Sequence, residues 1–146
     1  MAITGQQAAR RLAELSNWRL TNLALQKILY MAHMVHLGRY GEPLVNEDFQ
    51  AWDYGPVLPS VYHKAKVFGS EPVRDIFHSS AMPNSGREDD ILKEAISALG
   101  ECDAADLVNI SHWEKGAWAS HYNPGGRGIR IPNDDILNEY RERMNG

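Results

Sequence analysis

The stretch T-N-L-A-L-Q-K-I-L-Y-M-A-H-M-V-H-L-G at residues 21–38 decides the fold class. Leu25, Ile28, Leu29, Ala32, Val35 and His36 recur at three- and four-residue spacing, which stacks them on one face of an α-helix. Thr21 supplies a hydroxyl that can cap the start of this helix, and Gly38 or Gly41 can end it. The longest apolar run, residues 28–37, is interrupted by His33 and His36 and falls short of the ~20 residues that span a bilayer. The segment reads as the core helix of a globular domain.

Further helices are predicted on both sides of it. Thr4 and Gln7 make a capping box, and Ala8, Leu12 and Leu15 follow at helical spacing, so a helix runs from Gly5 to about Asn17. The short link around Trp18 and Leu20 makes an αα-hairpin of the first two helices. From residue 42 the pattern changes. Phe49, Ala51 and Asp53 alternate with Gln50, Trp52 and Tyr54 as in a short strand, Gly55-Pro56 is a turn signal, and Pro59 suits the first position of a third helix to about Phe68. Residues 72–78 read as a second extended piece that could pair with 49–53, and 79–86 as a loop.

Ser85 and Glu88 have capping-box spacing before a fourth helix with Ile91, Leu92, Ala95, Ile96 and Leu99 on its apolar face. Asp103 can cap a fifth with Leu107, Val108, Ile110 and Ser111, after which Gly116 and residues 124–128 break regular structure. The last helix starts at Pro132 or Asn133 and carries Ile136, Leu137 and Tyr140. The expected fold is mainly α: a compact single-domain helical bundle over residues 1–146, with about six helices and a small amount of short β structure.

Fifteen Lys and Arg against nineteen Asp and Glu leave 146 residues with a net charge of −4, which disfavours affinity gained by neutralising phosphates. The start shows no basic segment followed by an apolar one, and a lone Cys102 cannot form an internal disulfide, so a cytoplasmic setting is expected.

Reactive constellations are sparse. His33 and His36 stand one helical turn apart and Glu47 or Asp48 could join them, but a metal site needs three or four ligands and no His-Glu-x-x-His pattern is present. The plain reading puts His36 in the core and leaves His33 exposed. Asp103 beside Cys102 would raise the thiol pKa, which argues against a nucleophile. Ser111 and His112 are sequence neighbours that point about 100° apart on a helix and so make no catalytic pair. Gly125-Gly126-Arg127-Gly128 lacks the lysine of a phosphate loop. The expectation is a protein without catalytic residues, metal or cofactor.

What remains is an aromatic concentration: Trp52, Tyr54, Tyr62, Trp113, Trp118 and Tyr122. Two readings stay open. In one, Trp52 and Tyr62 close the core, Pro56 and Pro59 only set a turn, and Lys27, Lys64 and Lys66 are solvated charges. In the other, the segment from Trp52 to Tyr62, stiffened by Gly55, Pro56 and Pro59, is a preformed docking loop flanked by Lys27 and Tyr30, with Tyr54 as an anchor.

The blocks L-Q-K-I-L-Y-M-A-H at 25–33, G-R-Y-G-E-P-L at 38–44 and F-Q-A-W-D-Y-G-P-V-L-P-S-V-Y at 49–62 resemble the SocA-like Panacea antitoxin domain, which is also met in phage-associated proteins. L-V-N-I-S-H-W at 107–113, Trp118 and I-P-N-D-D-I-L at 131–137 resemble its closing blocks, with Ser111 where threonine is usual. The resemblance implies a mainly helical antitoxin that silences a neighbouring toxin by direct protein contact, in part of the family by handing it to a cellular protease. Its partner is then a cognate protein toxin rather than a nucleic acid or a membrane. The alternative is a protease adaptor or a phage-encoded modulator that binds a host protein.

Overall fold

The computed structural model describes residues 2–77, 80–83, 86–125 and 128–145. They form seven α-helices and one two-stranded sheet: α1 (Gly5–Leu15), α2 (Asn22–Tyr40), β1 (Gln50–Trp52), β2 (Gly55–Val57), α3 (Pro59–Ala65) with a 3-10 turn over Lys66–Phe68, α4 (Arg87–Leu99), α5 (Ala104–Ser111), α6 (Ala117–His121) and α7 (Asn133–Asn145). The chain is mainly α, as the periodicity predicts.

Local signals place the helix ends. Thr4 and Gln7 close the capping box on α1, Thr21 accepts from the Ala24 amide, and Asp103 accepts from the Asp106 amide. Pro59 occupies the first turn of α3, where its missing N–H leaves no helical bond unmade. Gly41 ends α2 in the left-handed conformation (φ 70°). Gly86 precedes α4, and the expected cap Ser85 lies outside the described residues. The glycine cluster after Pro124 is likewise described only in part, without residues 126 and 127.

α2 is the axis of the domain. α1, α3, α4, α5, α7 and β2 all pack on it, so burial extends around the helix instead of along one stripe. Leu25, Ile28, Leu29 and Ala32 are buried as expected, and so are Gln26, Lys27, Tyr30 and His33. The last three correct readings of the sequence. Lys27 is not a solvated charge, Tyr30 does not flank a surface, and His33 is not exposed. Internal partners satisfy three of the four. The Gln26 amide donates to Leu58 O at 3.3 Å while its oxygen accepts from Leu58 N at 2.7 Å, and Tyr30 Oη donates to Glu139 Oε1 at 2.6 Å.

His33 has both ring nitrogens assigned. Val45 N donates to Nδ1 at 3.3 Å, so Nε2 carries the proton and donates to Asn133 Oδ1 at 2.9 Å. Burial pushes this imidazole down to about 4, from an ordinary value of 6.5. The unfolded chain therefore takes up the proton first, and the stability contributed by neutral His33 is complete above pH 6.5 and lost as pH falls toward 4. Burial lowers His36 and His112 in the same direction. Urea melts at pH 7.5 and pH 5 should differ by about 2 kcal/mol or more, and equal stabilities would contradict the neutral, doubly bonded ring.

The small sheet differs from its sequence reading. β1 pairs antiparallel with β2, in the register Gln50 with Val57, Ala51 with Pro56 and Trp52 with Gly55. The turn is thus Asp53-Tyr54, and Gly55-Pro56 belongs to the second strand. Proline is tolerated there because Ala51 N donates away from β2, to Ile129 O at 2.9 Å. That makes Ala51 and Pro56 a pair without ladder bonds. Residues 72–73 turn instead to the α1–α2 link, where Pro72 bridges Thr21 and Val73 N donates to Leu20 O at 2.8 Å. No helix of the described residues is long and apolar enough to cross a membrane.

Candidate functional site

The hairpin, α2 and α3 enclose an open cleft of about 630 Å³. Trp52 and Tyr62 form one wall, in edge contact with ring centroids 4.8 Å apart. Leu23 and Val57 add apolar surface, and Tyr54 stands on the rim, 72% exposed at the tip of the turn. Lys64 and Lys66 are solvated, as expected.

A second layer of rings holds the hairpin from behind. His112 stacks on Trp118 at 4.0 Å with an interplanar angle of 8°, and Trp118 stacks on Tyr122 at 4.7 Å. Trp118 Nε1 donates to Trp52 O at 2.7 Å and Tyr122 Oη donates to Asp53 Oδ1 at 2.7 Å. Both bonds grip the backbone or turn of the hairpin, so Trp118 on α6 and Tyr122 immediately after its end fix where Trp52 and Tyr54 stand. Burial holds His112 below the ordinary imidazole value, and the nearby Lys27 charge pushes it the same way against a hydrogen bond to the Tyr54 backbone. A neutral ring here suits stacking on indole.

Five of the six aromatic residues predicted as binding candidates therefore converge: Trp52, Tyr54, Tyr62, Trp118 and Tyr122. Trp113 lies apart, with the Arg143 guanidinium 4.7 Å above its ring. Of the residues placed at a docking loop, Trp52 and Tyr62 are half-buried, Pro56 is buried in β2, and Tyr30 sits in the core. Lys27 is 1% exposed yet lines the cleft from below. The sequence did not point to His112 as a member of this cluster, because its contacts come from α6 and from a turn nearly sixty positions upstream.

Gly55 is required where it stands. Its φ is 113°, and a Cβ on it would lie 2.8 Å from Lys27 Nζ, 3.0 Å from Ser111 Oγ and 3.1 Å from His112 Cδ2. The hairpin backbone thus lies directly over the lysine. Among the described residues no group of three or more His, Cys, Asp or Glu side chains is placed to hold a metal ion. His33 and His36 are turned to separate partners, Asn133 with Val45 and the Glu42 carbonyl.

A helical domain whose aromatic and polar side chains frame an open cleft presents a surface suited to binding. Comparison with known sequences gives it a family. The chain belongs to the family described as "Antitoxin SocA-like, Panacea domain", matched over residues 25–119. It is 36% identical over 136 residues to "Antitoxin SocA" of Caulobacter vibrioides (strain NA1000 / CB15N), covering 84% of this chain and 72% of that protein. No solved structure matches it.

Proposed function

We propose that this protein is an antitoxin that neutralises a cognate protein toxin by direct contact through the aromatic cleft, and that it performs no reaction of its own. The observation that carries the reading is its 36% identity, over most of its length, to a protein named for antitoxin activity. The cleft supports direct contact as the mode of action. Trp and Tyr dominate binding hot spots because they bring large, rigid, amphipathic area at low entropic cost, and here the second ring layer holds them in place before a partner arrives. Handing the bound toxin to a cellular protease would use the same contact.

Rescue of growth, in cells expressing the growth-arresting protein encoded beside this gene, tests the reading. Wild type should rescue, and a wild type that binds and rescues no neighbouring toxin would overturn it. Tyr54→Ala should melt within a few degrees of wild type, because its side chain supports little of the core. Its toxin affinity should nonetheless fall about 30-fold or more, the equivalent of a ~2 kcal/mol hot spot. Ser80→Ala serves as the control and should change neither. A Tyr54→Ala variant that binds normally moves the interface away from the hairpin tip.

A further inference from the structure

Lys27 is a feature of the cleft that packing does not explain. A buried charge is ordinarily paired, because desolvation without a partner is costly. Among the described residues, however, no carboxylate pairs with Lys27, and burial lowers its pKa from 10.5 to about 8. The nearest cleft carboxylate, Asp53, is already engaged by Tyr122 Oη. The other titratable groups around the lysine are His112 behind it and Tyr62, His63 and Lys66 along α3 and its extension, none of them an anion at neutral pH. Asn22 and Gln26 add polarity without charge, and the Gln26 amide is used up on Leu58. The cleft therefore presents aromatic and apolar surface over a cationic floor, with the exposed Lys66 as a second cation on its lining.

We propose that the cleft is an acidic-residue pocket, in which the side-chain carboxylate of an Asp or Glu on the toxin docks onto Lys27 beside the wall formed by Trp52 and Tyr62. The inference rests on the antitoxin reading above and names the chemistry the partner must carry. One observation and two points of chemistry support it. Lys27 is 1% exposed as a residue and lines the cleft, with no internal carboxylate paired to it among the described residues. The rings beside it can cover the methylenes of an acidic side chain and exclude water once the carboxylate is in. Lys offers a compact point charge with three donors, which suits one carboxylate and not the bidentate fork that arginine favours.

The test uses the full chain and the toxin encoded beside its gene. Lys27→Met keeps the length and apolar stem of the side chain, so it should fold, melt no lower than wild type, and bind the toxin at least tenfold more weakly. Among single Asp→Asn and Glu→Gln changes across the toxin, one should cause the same loss against wild type and no further loss against Lys27→Met. Unchanged affinity of Lys27→Met, or no toxin carboxylate coupled to it, overturns the pocket. So does coupling to the toxin's C-terminal carboxylate alone, detected by amidating that terminus. Because wild type must bind the toxin in the same assay, failure of the pocket is distinct from failure of the antitoxin reading. Should Lys27→Met fold poorly, NMR titration of the Lys27 ammonium in wild type decides. Its midpoint near pH 8 should rise by a unit or more in the toxin complex, and an unmoved or lowered midpoint overturns the proposal.

Discussion

Glu139→Ala should lower stability by about 3–5 kcal/mol, a melting-temperature loss of roughly 10–15 °C in a chain of this size. Glu139 is 2% exposed and ties three helices together. Its carboxylate accepts from Tyr30 Oη of α2 at 2.6 Å, from the Ala117 amide at the start of α6 at 2.9 Å, and from Arg143 Nε, one turn along α7, at 2.8 Å. Truncation strands a buried hydroxyl and a buried amide at once, and each orphaned group costs about 1–3 kcal/mol. The damage should also reach the cleft. α6 carries Trp118, whose indole N–H holds the Trp52 carbonyl, so near-UV circular dichroism of the aromatic cluster should weaken with the melting temperature. Glu139→Gln keeps an acceptor for Tyr30 and Ala117 and should lose about half as much. Tyr30→Phe combined with Glu139→Ala should cost less than the sum of the two, because the second change removes what the first had left to lose. An alanine variant that melts within 3 °C of wild type would show that the carboxylate is not the junction of these helices.

The hub was not legible in the sequence. Lys27 reads there as a flank of the loop, but its burial as the cleft floor was not legible either, and the reason is the same for both. Thr4, Thr21, Asp103, Pro59 and Gly41 announce helix ends through bonds to residues a few positions away, so their readings needed only local spacing. Tyr30 and Glu139 are 109 positions apart, and His33 and Asn133 are 100 apart. Helical periodicity sorts side chains into apolar and polar faces, which assumes that one side of the helix meets water. α2 meets protein nearly all round, so its polar residues face partners that no local pattern predicts. The three-block resemblance carried the family, and the aromatic count pointed to the hairpin. That Lys27 lies beneath the hairpin follows only from how β2 crosses α2.

The sheet teaches a related lesson. Gly55-Pro56 has the composition of a turn, and the β-branched residues at 72–78 have that of a strand, yet the reverse pairing holds. Two facts override composition. The Ala51 amide is turned toward Ile129, which frees the facing position for a proline, and Gly55 is the residue without a Cβ where backbone passes over Lys27. The pairing that results places Trp52 and Tyr54 at the cleft.

Ile28→Asp should abolish cooperative folding, the largest effect expected from a single change in this chain. Ile28 is 0% exposed at the middle of the helix on which the other elements pack. Losing a buried aliphatic side chain costs about 2–5 kcal/mol, and a carboxylate without a partner adds more until it takes up a proton. The nearest cation cannot rescue it. Lys27 is the adjacent residue, points about 100° around the helix, and has its ammonium under Gly55. The summed loss approaches the lower end of the ~5–15 kcal/mol that stabilises an ordinary domain. Ser97→Asp, on the exposed face of α4, should stay within about 0.5 kcal/mol of wild type and serves as the matched control. Thermal circular dichroism reads both. A helical signal in Ile28→Asp that melts as a single transition near the wild-type temperature would mean that α2 is not the core axis, and the assignment of Lys27 to a buried cleft floor would fall with it.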